Sequence, residues 1–347
     1  MYPALAVHSA LMARTTRLET LWVGGEGGME ESLVSRHGIR MRTIPAAGVH
    51  GVGITALPRN LITITRGIFA ARRILNEYKP DAMFFTGGYV AVPVALAGRS
   101  IPSLLYVPDI EPGMALKSLA GMADIIMVTT DESQKFFNKN VLESGYPIRT
   151  DLNLWNRQTA LQHLAITGGR PVLLVFGGSK GAHSINQAVL HNLPALLEKY
   201  ELIHITGERD WQMVKQSREQ LPEDVGPRYH AMPYQHEMGA ALAAADLVVS
   251  RAGASSLGEY PLFGLPAILV PYPHAWRYQK VNADYLTRRG AAVILEDHRL
   301  NDELLPTLNV LVENPNKLKA MRAAMFQLSH PRAAEKIANA LIKLVGE

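Results

Sequence analysis

The chain has 347 residues, 48% hydrophobic and 19% charged, an ordinary globular composition long enough for two domains with a core each. It has no cysteine, which excludes disulfides, thiolate metal sites and a cysteine nucleophile. A net charge of +4 is too small to argue for nucleic acid, and there is neither a signal peptide nor an apolar run near the about 20 residues that span a bilayer, so a cytoplasmic or membrane-surface chain is expected.

In chain order, strands are expected at 20–23, 42–44, 82–85, 103–106 and 125–128 in the first half, and at 172–176, 202–205, 247–249, 267–270 and 292–295 in the second. Helical segments alternate with them, which argues for parallel sheets, and an amphipathic helix is expected at 332–344. Residues 147–151 read as a hinge. Residues 53–75 interleave Ile54, Leu57, Leu61, Ile62, Ile64, Ile68 and Phe69 with Arg59, Arg66, Arg72 and Arg73. This pattern has two readings: a core face with solvated arginines, or an apolar and basic surface for an anionic membrane. Thr86-Gly-Gly-Tyr89 is a strand-to-helix turn. Pro108-Asp-Ile-Glu-Pro-Gly113 sets two carboxylates before a helix expected at 115–120, where Asp109 suits an N-cap.

Two segments carry chemistry. Phe176-Gly-Gly-Ser-Lys-Gly-Ala-His-Ser-Ile-Asn186 follows the apolar run Pro171–Val175. A buried strand breaking into a Gly-rich turn and then a helix gathers backbone N–H groups and dipole charge at one point, which can hold a phosphate without a metal. The plainer reading is a simple strand–helix connection. Ser250-Arg-Ala-Gly-Ala-Ser-Ser-Leu-Gly-Glu259 likewise follows an apolar strand and places Glu259 in the first turns of a helix. A carboxylate there accepts two hydrogen bonds from a ribose diol, or else serves as a capping or surface group. Together the two turns suggest a nucleotide diphosphate held at consecutive strand ends.

With these turns, Thr86-Gly-Gly-Tyr89 with Pro93, Ser144-Gly-Tyr-Pro-Ile-Arg149 and the run from Ser250 to Ala292 resemble the MurG-type glycosyltransferases, in order and over nearly the whole chain. That run includes Gly264-Leu-Pro266, Val270-Pro271, His274, Gln279 and Asn282-Ala283. The resemblance implies an α/β chain of the GT-B class: two αβα Rossmann-like domains with parallel sheets facing across a cleft. It implies an acceptor- and membrane-facing domain at 1–148, a UDP-sugar domain at 149–328, and a terminal helix at 329–347 packing back on the first. The implied activity is inverting transfer of N-acetylglucosamine from UDP to a lipid-linked muramyl-peptide in peptidoglycan synthesis, with no metal or other cofactor. The implied partners are the UDP-sugar, a polyprenyl-linked acceptor and a membrane surface, without nucleic acid, and the implied location is peripheral at the cytoplasmic face of the membrane.

Carried over position by position, the donor residues are Arg149, Ser179, Gln235, Ala254, Ser255, Ser256, Leu257, Gly258, Glu259 and Gln279. Arg149 suits a diphosphate, with an interdomain salt bridge as its plainer role. His274 and Arg277 share the loop region near Gln279. Thr86, Gly87, Gly88 and Tyr89 fall on the acceptor side. Three departures stand out. Tyr278 replaces one of two adjacent family glutamines. The 108–113 segment replaces a His-Glu-Gln-Asn segment, which makes Asp109 and Glu111 the candidate catalytic bases. A first strand and Gly-rich loop ending in His have no counterpart before Met1, and His8 falls within the expected first helix and does not stand in for that His. The chain as given is therefore expected to bind nucleotide and to be catalytically weak or dead. The alternatives are another GT-B transferase with a different lipid or small-molecule acceptor, and a non-catalytic UDP-sugar binder.

Overall fold

Every paired strand runs parallel to its neighbour in the computed structural model, which describes residues 1–28, 30–48, 57–167, 169–178, 181–273 and 276–346. The chain divides into two compact units, one of residues 1–147 with 332–347 and the other of residues 148–331.

The first unit runs α1 (Tyr2–Met12), β1 (Leu21–Gly25), α2 (Glu30–Arg36), β2 (Arg40–Ile44), α3 (Leu57–Tyr78), β3 (Met83–Phe85), α4 (Ala91–Ala97), β4 (Ser103–Val107), α5 (Met114–Ala120), β5 (Ile125–Val128) and β6 (Leu142–Glu143). Its strands form a β1-β2 pair and a β3-β4-β5-β6 sheet; among the described residues β1 bonds only to β2, and β3 only to β4. β4 is buried along its whole length, because helices cover both faces, which is why Ser-Leu-Leu-Tyr-Val shows no alternation. On one face Ala71 and Leu75 of α3, Val94 of α4 and Leu119 of α5 pack with Ile44, Phe85, Val107 and Val128. On the other, Val7 of α1 meets Leu104, Tyr106 and Met127 together with Ile337 and Leu341 of the terminal helix, while Leu5 of the same α1 joins Val34 and Ile39 over β1 and β2. Each such fully buried aliphatic side chain contributes about 1.5–3 kcal/mol.

The second unit runs α6 (Arg157–His163), β7 (Val172–Phe176), α7 (His183–His191), α8 (Leu193–Lys199), β8 (Glu201–Ile205), α9 (Trp211–Glu219), β9 (Tyr229–Met232), α10 (Met238–Ala244), β10 (Leu247–Ser250), α11 (Glu259–Phe263), β11 (Ala267–Leu269), α12 (Trp276–Arg288), β12 (Ala292–Ile294), α13 (Leu300–Val312) and α14 (Pro315–Gln327); α15 (Ala333–Leu344) returns to the first unit. Local chemistry starts α6: the Asn156 side chain accepts from the Thr159 N–H, and the Thr159 hydroxyl accepts from the Asn156 N–H. The strand order is β12-β11-β10-β7-β8-β9, so the chain leaves β7 toward β8 and β9 and later crosses to β10 on the other side. The order reverses between β7 and β10, and ligands of open parallel sheets bind outside the carboxyl ends of strands at such a point.

All the expected strands are present, with ends within two residues of their expected places. Two further strands, β6 and β9, were not legible in the sequence; both are short and lie at sheet edges. Asp109 does not cap the helix that follows it: α5 starts at Met114, its N-cap is Gly113, and no side chain bonds to that cap.

Candidate active site

The turn after β7 is closed by contacts that only glycine permits. A side chain at Gly177 would lie 2.2 Å from the Ala182 nitrogen, and one at Gly181, which has φ +76°, would lie 2.2 Å from the Thr206 carbonyl oxygen. The chain therefore doubles back tightly from Phe176 and enters α7 at His183, and the N-cap, Ala182, offers no side-chain acceptor to the amides of the first turn. Ser179 and Lys180 lie outside the described residues.

The turn after β10 leaves the sheet at the same level, since Ser250 is the register partner of Phe176. Gly253 begins a single 3₁₀ turn, Ala254–Leu257, and Gly258 leads into α11 at Glu259. The loop is pinned from within: Ser256 Oγ donates to the Gly253 carbonyl at 2.7 Å, Asn282 Nδ2 donates to the Ala252 carbonyl at 3.2 Å, and the Ser250 and Tyr260 hydroxyls bond to each other. Ala254 and Ser255 remain partly accessible, whereas Ser256, Leu257 and Gly258 are buried.

Glu259 is only 7% exposed. Burial pushes its carboxyl up to about 7, against the pull of the nearby Arg149 guanidinium and the Ser255 hydrogen bond; Asp151 adds to the rise. A helix of five residues gives little dipole compensation, so desolvation dominates. Arg149 is itself largely buried and stands 3.7 Å from Asp151. These groups bring a carboxylate and a guanidinium together at the end of β10. Gln279, on α12, uses its Oε1 to accept the Tyr272 N–H at 2.8 Å and so braces the loop after β11. Gln235 follows β9, half-buried, and accepts the Glu237 N–H at 3.3 Å. Arg277 is exposed on α12, and His274 lies outside the described residues.

Two polar clusters around the first turn of α7, each partly buried, are not legible in the sequence. In one, Arg251 donates to Asp297, to Ser184 Oγ at 2.8 Å and to the Val270 carbonyl at 3.2 Å, and lies over the Tyr272 ring. In the other, His183 Nδ1 lies 2.9 Å from Asp210, which also receives Asn186 Nδ2 at 2.7 Å; Asn186 Oδ1 is 3.0 Å from His204 Nε2, and His204 Nδ1 is 2.8 Å from the Tyr229 hydroxyl. Burial drives His204 down to about 3, so its ring is neutral. A histidine in the wholly buried strand Glu-Leu-Ile-His-Ile was the available signal, because a buried imidazole requires partners.

In the first unit, Thr86–Tyr89 connects β3 to α4, with Gly87 and Gly88 at φ +101° and +93° and Tyr89 exposed. Asp109 is half-buried after β4, whereas Glu111 is only 4% exposed. The segment is anchored from beneath, by Thr129 Oγ1 donating to the Pro108 carbonyl at 2.7 Å and Ser133 Oγ donating to the Ile110 carbonyl at 2.9 Å.

Residues 1–128 match the glycosyltransferase family 28 N-terminal domain and residues 172–337 its C-terminal domain. A UDP-N-acetylglucosamine–N-acetylmuramyl-(pentapeptide) pyrophosphoryl-undecaprenol N-acetylglucosamine transferase of Roseiflexus sp. (strain RS-1) is 38% identical, over 99% of this chain and 92% of its own length. A relative of the same name from Halalkalibacterium halodurans is 34% identical, over 100% of this chain and 96% of its own. Among solved structures, MurG of Acinetobacter baumannii superposes with a TM-score of 0.78 at 27% identity, covering 99% of this chain and 95% of that one. A UDP co-structure of MnaA from S. aureus, at TM-score 0.69 and 12% identity over 100% and 96% of the two chains, shares the fold alone. The chain thus belongs to glycosyltransferase family 28, among the MurG-type N-acetylglucosamine transferases.

Proposed function

We propose that this chain transfers N-acetylglucosamine from UDP-N-acetylglucosamine to a muramyl-peptide carried on a polyprenyl pyrophosphate, the reaction for which its relatives are named. The observation that carries the reading is the pair of turns at the β7/β10 reversal with buried Glu259 beside Arg149. In this reading the Glu259 carboxylate accepts from the ribose diol, the amides of the first turn of α7 and Arg149 hold the diphosphate, and backbone of Ala254–Gly258 lines the nucleotide. The Gln279 amide nitrogen serves the sugar hydroxyls, its oxygen being occupied by Tyr272. Gln235 lies toward the base.

The acceptor hydroxyl oxygen bonds to the anomeric carbon from the face opposite UDP, the bond from that carbon to the β-phosphate oxygen breaks, and the configuration inverts. Asp109, more accessible than Glu111, takes the hydroxyl proton. Charge on departing UDP is met by Arg149 and helix amides, so the step is proposed to proceed without a metal ion. Thr86–Tyr89 offers backbone to the acceptor pyrophosphate.

A membrane surface is the proposed source of the acceptor. On α3, Leu61, Ile62 and Phe69 are 57%, 63% and 69% exposed, next to exposed Arg59, Arg66, Arg72 and Arg73, while Ala71 and Leu75 face the core. The core-face reading accounts for Ala71 and Leu75, and the exposed apolar and basic side chains of α3 support the membrane-surface reading proposed here. Ile54 lies outside the described residues, and the side chain of Leu57 is likewise not described. Among the described residues no helix is long and apolar enough to cross a membrane. The test is incubation with radiolabelled UDP-N-acetylglucosamine and the lipid-linked acceptor: label entering the lipid fraction, dependent on acceptor, supports the reading, and free sugar alone refutes it.

A further inference from the structure

The first turn of α7 begins with an imidazole, where a helix dipole favours an anion. The cluster behind it explains how this is tolerated. Asn186 Nδ2 donates both to the Thr206 carbonyl at 2.9 Å and to Asp210 Oδ2 at 2.7 Å, so its oxygen is left for His204 Nε2, which must donate. His204 Nδ1 is then an acceptor and the Tyr229 hydroxyl donates to it. Every proton in the chain of bonds points toward Asp210, which is buried and has no proton to give as a carboxylate. His183 Nδ1 must therefore donate to Asp210 Oδ1, and the ring's other nitrogen, Nε2, is left for whatever approaches. The His183 side chain is 48% exposed, in contrast to Asp210.

A bare carboxylate buried beneath a phosphate-binding turn would repel the phosphate. His183, the first residue of α7, is paired with that carboxylate at 2.9 Å. The turn and the loop that carries Asp210 are also in direct contact, since Gly181 packs against Thr206 and Gly207. A diphosphate offers only acceptors, so Nε2 can serve it only as a donor, with the ring carrying both protons and Asp210 balancing its charge.

We propose that His183, held by Asp210, is a diphosphate-binding residue of the donor site, acting as an imidazolium that contacts the nucleotide phosphates and shields them from the carboxylate behind it. This rests on the donor-site reading above. It assigns to the Asn186–His204–Tyr229 network the role of fixing Asp210, and through it the direction of His183 Nε2.

The test is calorimetric binding of UDP and of uridine, near neutral pH, to the full chain and to His183→Gln, His183→Arg and Glu259→Gln. His183→Gln is expected to lose about tenfold in UDP affinity and to keep uridine affinity within about twofold, because the lost contact is to phosphate alone. His183→Arg restores a cation and is expected to recover most of the loss. Glu259→Gln is expected to weaken both ligands, since it acts at the ribose. A glutamine variant with unchanged UDP affinity, a parallel loss of UDP and uridine, or an arginine variant no better than the glutamine one overturns the assignment. If Glu259→Gln weakens both ligands while His183→Gln changes neither, the donor site stands and His183 is not part of it. If the unaltered chain binds no UDP, the donor-site reading falls and this inference with it.

Discussion

Replacing Glu259 by glutamine separates charge from shape at the ribose position. The carboxyl is almost fully buried and titrates near 7 in the free protein, because burial outweighs the attraction of Arg149. Ribose hydroxyls donate to the ionised form, so binding pulls the carboxyl toward ionisation. Above pH 7 the group is already ionised; below it, binding must expel a proton and affinity should fall by up to about tenfold per pH unit. A hydrogen bond to a charged group is worth about 1.5–3 kcal/mol, and an amide keeps one acceptor oxygen, so the net loss at high pH should be about 1–3 kcal/mol, or about 5- to 150-fold. The assay is calorimetry with UDP-N-acetylglucosamine, whose diphosphate does not titrate in this range, from about pH 5.5 to 8.5 in two buffers of different ionisation enthalpy. The unaltered chain should release a proton on binding below pH 7, and Glu259→Gln should not. Equal affinities, or the same proton release in both, would refute the placement of ribose on Glu259.

The same carboxyl makes a prediction about folding. Between pH 4.5 and about 7 the folded chain keeps a Glu259 proton that the unfolded chain has lost, so stability falls with rising pH, by about 3 kcal/mol in all. His204, depressed to about 3, acts oppositely: between about pH 3 and 6.5 the unfolded chain binds a proton the folded chain lacks, and stability rises with pH. The two offset each other from pH 4.5 to 6.5, so thermal melting of Glu259→Gln should climb with pH there more steeply than that of the unaltered chain; parallel curves would contradict the Glu259 assignment, and a variant curve that does not climb would contradict that of His204. Transfer and UDP binding should survive chelation by EDTA, and strict dependence on added Mg²⁺ or Mn²⁺ would reject the helix-and-arginine account of the diphosphate. Changing Leu61, Ile62 and Phe69 of α3 to serine should cut binding to anionic phospholipid vesicles by about tenfold or more in flotation assays without lowering the melting temperature, as those side chains are exposed. Unchanged flotation would remove α3 from the membrane-facing surface.

Much of the fold could be read from the sequence because a doubly covered parallel sheet writes itself as uninterrupted apolar runs, and β4, β7 and β10 are such runs. Edge strands do not: β9, Tyr-His-Ala-Met, is buried only at alternate positions, and β6 has two residues. The two turns were legible because their glycines answer to backbone geometry, as Gly177 and Gly181 illustrate. What stayed hidden was pairing across long separations. Nothing near Asp210 in the chain names His183 or Asn186 as its partner, and nothing near Arg251 names Asp297. The capping role considered for Asp109 failed for a local reason, since Pro112 and Gly113 keep the chain extended until Met114.

The most direct test of the account is a crystal structure of the chain with UDP. The account predicts the ribose diol within hydrogen-bond distance of Glu259, the diphosphate at the first turn of α7 beside Arg149, and the uracil toward the loop after β9. UDP bound elsewhere in the second unit, or bound with its ribose away from Glu259, would contradict it.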